Sequence, residues 1–195
     1  MILKELLEKD RSYRGYDETI ELTKEELMDM VDCTRFCPSS VNKQPLQYYL
    51  AWKKETVDKI QQTTGWAKGL PELKLPHDGM CPTAFIVICQ DTRIDESLTR
   101  YQRDVGIVAH TILLRAVEMG FGGCMIGNFR LAELKESLSL PEYLAPMLVV
   151  ALGKPKETII LKEVGKGEDV GYYRDDQDIH YVPKRKLEDI VLFNE

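Results

Sequence analysis

Two rhythms of apolar and polar positions run along this chain, and each predicts a different element. Thr23 and Glu26 form a capping box, with Thr23 at the N-cap and Glu26 at the third helical position. Leu27, Met30, Val31 and Thr34 then recur at helical spacing to about Phe36, and Pro38 ends the run. A wider apolar stripe joins Val105, Val108, Ala109, Ile112, Leu113, Ala116 and Val117, with Gly120 where a C-terminal cap belongs. Glu55–Gln62 and Leu131–Leu138 read as further helices. Ala84–Cys89 and Met147–Leu152 are continuous apolar runs, suited to strands buried on both faces. Tyr48–Trp52 and Phe121–Ile126 are shorter strand-like runs.

Residues 63–82 hold Gly65, Gly69, Pro71, Pro76, Gly79 and Pro82 and predict a long loop or lid. Periodicity fades after Gly153. Residues 153–180 are rich in Gly, Lys, Glu and Asp, and Val182–Phe193 ends on an amphipathic Leu187/Ile190/Val191 stripe. Helices and strands mix without the strict alternation of a doubly wound sheet. The predicted class is α+β, a mixed central sheet packed between helices. One domain is expected over residues 1–195, with a C-terminal arm (about 153–195) long enough to contact a partner subunit.

Composition narrows the function classes. A chain of 195 residues buries roughly 70 % of its unfolded surface and needs no staple. The net charge of −6 argues against nucleic acid as a partner. The first ten residues are too charged for a signal peptide, and no apolar run reaches the roughly 18 residues of a membrane span. Cys33, Cys37, Cys81, Cys89 and Cys124 are scattered, as expected of reduced thiols in a cytoplasmic protein. His77, His110 and His180 show no metal-ligand spacing, and no metal is expected. His110, on the apolar helix, reads as a core histidine.

Four segments carry candidate chemistry. Pro38, Ser39, Ser40, Asn42, Gln44 and Pro45 make a polar loop fixed by proline at both ends, suited to a large polar heterocycle or to an ordinary turn. Arg11 and Arg14 flank Ser12 and offer planar donors to a phosphate or a heterocycle carbonyl, unless they are an exposed turn balanced by Asp10 and Asp17. Gly120–Asn128 lacks the spacing of a dinucleotide fingerprint or a P-loop, but Gly127 at a strand end could admit a flat ligand close to backbone. Lys184, Arg185 and Lys186 could seat a phosphate or form a solvated basic face. No nucleophile elbow or zinc-protease motif is present, so a cofactor is expected to carry the chemistry, and no side chain stands out as catalytic.

Taken together, these pieces make the chain resemble the flavin-dependent nitroreductase family. Arg11-Ser12-x-Arg14, the Pro38–Pro45 loop, Asp104–Gly127, Leu152-Gly153-x-Pro155 and Pro183-Lys184-Arg185-x-Leu187 occur in the family's order over almost the whole chain. The resemblance implies an intertwined homodimer with FMN at its interface and NADH or NADPH as donor. Hydride would pass from the nicotinamide to flavin N5 and then to an electron-poor acceptor such as a nitroaromatic or quinone. A flavin-binding module without turnover is the alternative. By this likeness Arg11, Ser12 and Arg14 would bind FMN from one subunit, Arg14 near the pyrimidine edge. Lys184 and Lys186, with Arg185, would hold the phosphate, and backbone at Ile126 and Gly127 would face N5 and O4. Pro38, Ser39, Ser40 and Asn42, in the loop that also carries Gln44, would come from the other subunit. One departure is Asp10, where many relatives carry arginine; it would weaken the hold on the phosphate.

Overall fold

A computed structural model of the chain describes residues 2–192. Its helices are α1 (Leu3–Lys9), α2 (Lys24–Thr34), α3 (Lys54–Thr63), α4 (Gln102–Glu118) and α5 (Leu131–Ser137). Its strands are β1 (Tyr16–Asp17), β2 (Leu46–Ala51), β3 (Ala84–Asp91), β4 (Gly122–Ile126), β5 (Leu144–Pro155), β6 (Ile159–Val164), β7 (Tyr173–Arg174) and β8 (His180–Arg185).

The long strand β5 organises the main sheet. It pairs with β3 on one side and with β4 and the short β1 on the other, and β2 extends the sheet beyond β3. These ladders are all antiparallel. Parallel pairing enters through an isolated bridge between Ser12 and Gly123 and through β6 and β8 in a second, three-stranded sheet.

All eight residues of β3 are buried, and their period of two splits the core. Ala84, Ile86 and Ile88 pack with Leu27 and Met30 of α2 and Val108 and Ile112 of α4. Phe85, Val87 and Cys89 pack on the other face with Val57 and Ile60 of α3 and Leu134 of α5. The sheet is therefore covered by helices on both sides, as the apolar runs require. The register shifts between Ile88 and Cys89, which pair with Leu148 and Pro146, so Met147 is the extra residue. Proline tolerates such a bulge because it has no N–H to place in the ladder.

Local signals fix the helix ends. The Glu26 amide donates to Thr23 Oγ1 at 3.2 Å, and the Thr23 amide donates to Glu26 Oε2 at 2.7 Å. At the end of α4, Gly120 takes φ +85°, and the amides of Phe121 and Gly120 donate to the carbonyls of Ala116 and Val117 at 2.8 and 3.0 Å. That is a Schellman close, which glycine enters without a Cβ penalty.

The stretch 153–180 holds more structure than its sequence suggests. β5 runs through Pro155, and β6, β7 and β8 follow. Glu157 and Arg174, with side chains only 2 % and 4 % exposed, form a buried ion pair that fastens this sheet to the Arg14 amide, which also donates to Glu157. His110 corrects the sequence reading. Its side chain is half-exposed, and Nδ1 lies 3.1 Å from the nearly buried Asp10 carboxylate, so it makes a polar contact with Asp10 and is not a core residue. All five cysteines are free.

Candidate functional site

The segment Arg11–Arg14 lies along β4 at the edge of the main sheet. Ser12 bridges Gly123, and the Tyr13 amide donates to the Gly123 carbonyl at 3.0 Å. Glycine is required there: a Cβ on Gly123 would stand 2.3 Å from the Ala151 carbonyl oxygen. Arg11 Nη2 donates to the Leu7 carbonyl at 2.7 Å, closing the end of α1, while its Nε is buried with no partner. Arg14 Nη1 donates to the Ser12 carbonyl at 3.1 Å, and its guanidinium lies 5.2 Å from the centre of the Tyr172 ring.

Around these groups opens a cleft of about 300 Å³, lined by Asp10, Arg11, Ser12, Arg14, Tyr172, His180, Val182 and Lys184. An adjoining cleft of about 160 Å³ shares Arg14 and Tyr172 and continues past Gly65–Lys68 to Cys124–Asn128. Arg11, Ser12, Arg14, Ile126, Gly127 and Lys184 are thus brought to two adjoining clefts that share Arg14 and Tyr172. Gly127 has no atom within 4 Å of its missing Cβ, so its backbone faces open space. Arg185 is exposed and Lys186 half-buried beyond the end of the lining.

The electrostatics of these clefts are mixed. Burial pushes the Asp10 carboxyl above its usual range, against the opposing charges of His110 and Arg11. Burial also raises the Cys124 thiol, so it is no ready nucleophile. His180 is pushed down to about 4 by burial, with the Arg14 and Arg174 charges adding to the effect.

The Pro38–Pro45 loop is elsewhere in the chain. Ser39 Oγ and the Ser40 amide donate to Asp104 Oδ2 at 2.8 and 2.9 Å. The Gln44 amide donates to Ser39 Oγ at 3.1 Å, and Gln44 Nε2 donates to Asn42 Oδ1 at 3.0 Å. Val41, Asn42 and Gln44 have φ of 46°, 54° and 51°. Left-handed backbone is costly for ordinary residues, and most of all for β-branched valine. Pro38, Ser39 and Gln44 line a separate cavity of about 170 Å³ together with Asp104. Within one chain this loop does not join the Arg14 cleft.

Sequence reasoning missed Tyr172, His180 and Trp66 as lining residues, and Asp104 as the anchor of the serine loop. The alternation His180, Val182, Lys184 was the available signal for β8. It is obscured by Pro183, which is tolerated because β7 reaches only residues 180 and 181 and leaves that flank of β8 open.

The family model described as "Nitroreductase family" matches residues 7–154, well over half of the chain. A protein of Methanothermobacter thermautotrophicus named as an NADH dehydrogenase/NAD(P)H nitroreductase is 28 % identical over 164 residues, spanning 80 % of this chain and 79 % of its own. An FMN reductase [NAD(P)H] of Bacillus subtilis is 26 % identical over 168 residues, 75 % of this chain and 63 % of that one. Among solved structures, an FMN-dependent nitroreductase of Clostridium difficile R20291 superposes with a TM-score of 0.67 at 21 % identity, covering 99 % of both chains. A nitroreductase-like protein of Exiguobacterium sibiricum, solved in complex with FMN, also reaches a TM-score of 0.67, at 17 % identity and covering 80 % of this chain and 90 % of that one. These two structural likenesses carry the fold. Fold and family model together define a helix-covered sheet of the nitroreductase kind. The chain belongs to the nitroreductase family.

Proposed function

We propose that the protein is an FMN-dependent NAD(P)H oxidoreductase that works as a homodimer on an electron-poor small molecule, a nitroaromatic, a quinone or a related acceptor. The observation that carries this reading is the gathering of Arg11, Ser12, Arg14 and Lys184 in one cleft, with the open backbone of Ile126 and Gly127 in the adjoining one.

The donor set fits FMN. Arg11 keeps a buried Nε without an acceptor, and Lys184 adds a second cation to the same cleft, so a phosphate dianion would give Arg11 the acceptor it lacks and Lys184 a counter-charge. Arg185 and Lys186 stand just beyond and raise the local positive potential. Asp10 is engaged by His110 at 3.1 Å, which limits its repulsion of the anion. Arg14 would face the pyrimidine edge, where a fixed cation stabilises developing negative charge without reorganising. The bare Cα of Gly127 lets a flat ring approach backbone amides closely.

The chemistry that FMN supplies when bound is two-electron exchange between a nicotinamide and the acceptor. The chain's own part is to hold, orient and charge-match. We assign Pro38, Ser39, Ser40, Asn42 and Gln44 to the FMN of the neighbouring protomer, because their loop turns outward from its own chain. Phe36 and Val41, 80 % and 77 % exposed beside that loop, are apolar surface that a second copy would cover. Leu187, Ile190 and Leu192 are likewise exposed at the end of the arm and suit a partner contact. Among the described residues no helix is long and apolar enough to cross a membrane.

The test is spectroscopic. Purified protein mixed with FMN should retain flavin absorption through gel filtration, and anaerobic NADH or NADPH should bleach it. A protein that retains no flavin contradicts the reading. Bound flavin that neither nucleotide bleaches leaves a carrier or sensor in its place.

A further inference from the structure

One wall of the cleft is a single face of a strand. In β8, residues 180, 182 and 184 point the same way, since side chains alternate across a strand. The three that line the cleft are His180, Val182 and Lys184. Over four residues at about 3.3 Å each, His180 and Lys184 stand roughly 13 Å apart along the strand. The wall is therefore polar at one end, apolar in the middle and cationic at the other.

His180 is the unusual member. It is 1 % exposed, and neither Nδ1 nor Nε2 has a hydrogen-bond partner among the described residues. Buried polar atoms are seldom left so, because each forfeits its bond to water. The cations beside it are donors: Arg14 on the cleft wall and Arg174, its register partner on β7. Tyr172 meets it edge-on, with ring centres 5.5 Å apart, and the Tyr172 hydroxyl already accepts from the Gly69 amide at 3.1 Å. Asp10 is taken by His110, and Glu157 and Asp178 by Arg174. A neutral imidazole has one donor nitrogen and one acceptor nitrogen, whereas arginine and lysine have no acceptor. His180 thus brings an unused buried acceptor to a cationic cleft.

We propose that His180 is a cofactor-recognition residue that accepts a hydrogen bond from the imide N3–H of the flavin, at the same end of the cleft as Arg14. The pyrimidine edge of a flavin alternates carbonyl, N–H, carbonyl. Arginine satisfies only the carbonyls. The imide proton needs an acceptor, and His180 supplies it, while Val182 packs against the apolar middle and Lys184 takes the phosphate. Burial, with the neighbouring Arg14 and Arg174 guanidinium groups adding to it, keeps the imidazole neutral and so keeps that acceptor available. This inference rests on the FMN reading above.

The test is equilibrium binding, independent of turnover. FMN and 3-methyl-FMN, which lacks the imide proton, are titrated into the wild type, His180→Leu and His180→Gln, with flavin fluorescence as the readout. Wild type should bind FMN roughly tenfold more tightly than the methylated flavin, the scale of one buried hydrogen bond. His180→Leu should bind FMN about tenfold more weakly and no longer distinguish the two, and His180→Gln, with an amide acceptor, should restore part of the distinction. Thermal melts of both variants show that the fold persists. Equal affinity of the wild type for both flavins, or full discrimination in a folded His180→Leu, overturns the role of His180 while leaving FMN binding intact. A wild type that binds neither flavin overturns the FMN reading as well.

Discussion

Two polar regions of this protein are built on opposite plans. The cationic cleft is braced from behind by a buried ion pair. Glu157 accepts from Arg174 and from the Arg14 amide, and Arg174 also reaches Asp178 at 2.9 Å. Charge meets charge, and the wall closes within one chain. The serine loop hangs from Asp104, which is 5 % exposed and whose partners among the described residues are Ser39 and Ser40, not a cation. Three residues of that loop hold left-handed backbone. Backbone strain of this kind clusters at ligand-binding and functional segments. On the proposed reading, that difference makes the cleft the receiving half of the site and the loop the offered half.

The contrast can be broken at the brace first. Glu157→Ala would leave Arg174 buried without its main counter-charge, and should cost about 3–5 kcal/mol in urea-monitored unfolding. A loss under 1 kcal/mol would show that the brace is unimportant. Asp104→Ala should cost less, about 1–3 kcal/mol, because it strips two hydrogen bonds from uncharged donors and not an ion pair. Its distinguishing sign is local: hydrogen exchange at the Ser40 amide should quicken while amides of β3 stay protected. Uniform acceleration would mean that Asp104 serves global stability alone.

Two glycines sharpen the comparison further. Gly123→Ala drives a methyl against the Ala151 carbonyl and should destabilise by about 1–3 kcal/mol, whereas Gly127→Ala enters open space and should leave the melting temperature within a degree or two. The Gly127 variant should instead weaken FMN retention severalfold. Retention equal to wild type would place the flavin away from that strand end.

A further effect is in pH. An ordinary histidine takes up its proton near 6.5, whereas folded His180 does so only at about 4. Between those values unfolding absorbs a proton, so this residue's contribution is fully present above about 6.5 and is lost as pH falls toward 4. His180→Gln should flatten the fall in urea midpoint over that window. Parallel profiles for the variant and the wild type would contradict the shift.

The core was readable because burial on both faces leaves a mark in sequence. β3 is apolar at six successive positions from Ala84 to Cys89, and the stripe on α4 runs the length of that helix. The C-terminal sheet left no such mark. Four of the six residues of β6 are exposed, so neither face is written in apolar residues. The cleft was half-readable for a related reason. Arg11, Arg14 and Lys184 declare themselves by charge in a segment of their own, but Tyr172 and His180 reach the cleft only through the pairing of β7 and β8. Asp104 was seen as part of a matched segment. Its bond to Ser39, 65 residues away, is a tertiary fact that no local pattern carries.

The central claim is that the receiving half and the offered half belong to different copies of the chain. An Arg14→Ala chain and a Ser39→Ala/Asn42→Ala chain should each bind FMN poorly alone. Refolded together, their mixed dimers should regain one of two sites, the one combining Arg14 from one copy with Ser39 and Asn42 from the other. Titration of the purified mixed dimer should give one FMN per dimer at wild-type affinity. A mixture that binds no better than its separate components, or a wild type that holds one FMN per chain as a monomer, would contradict the account.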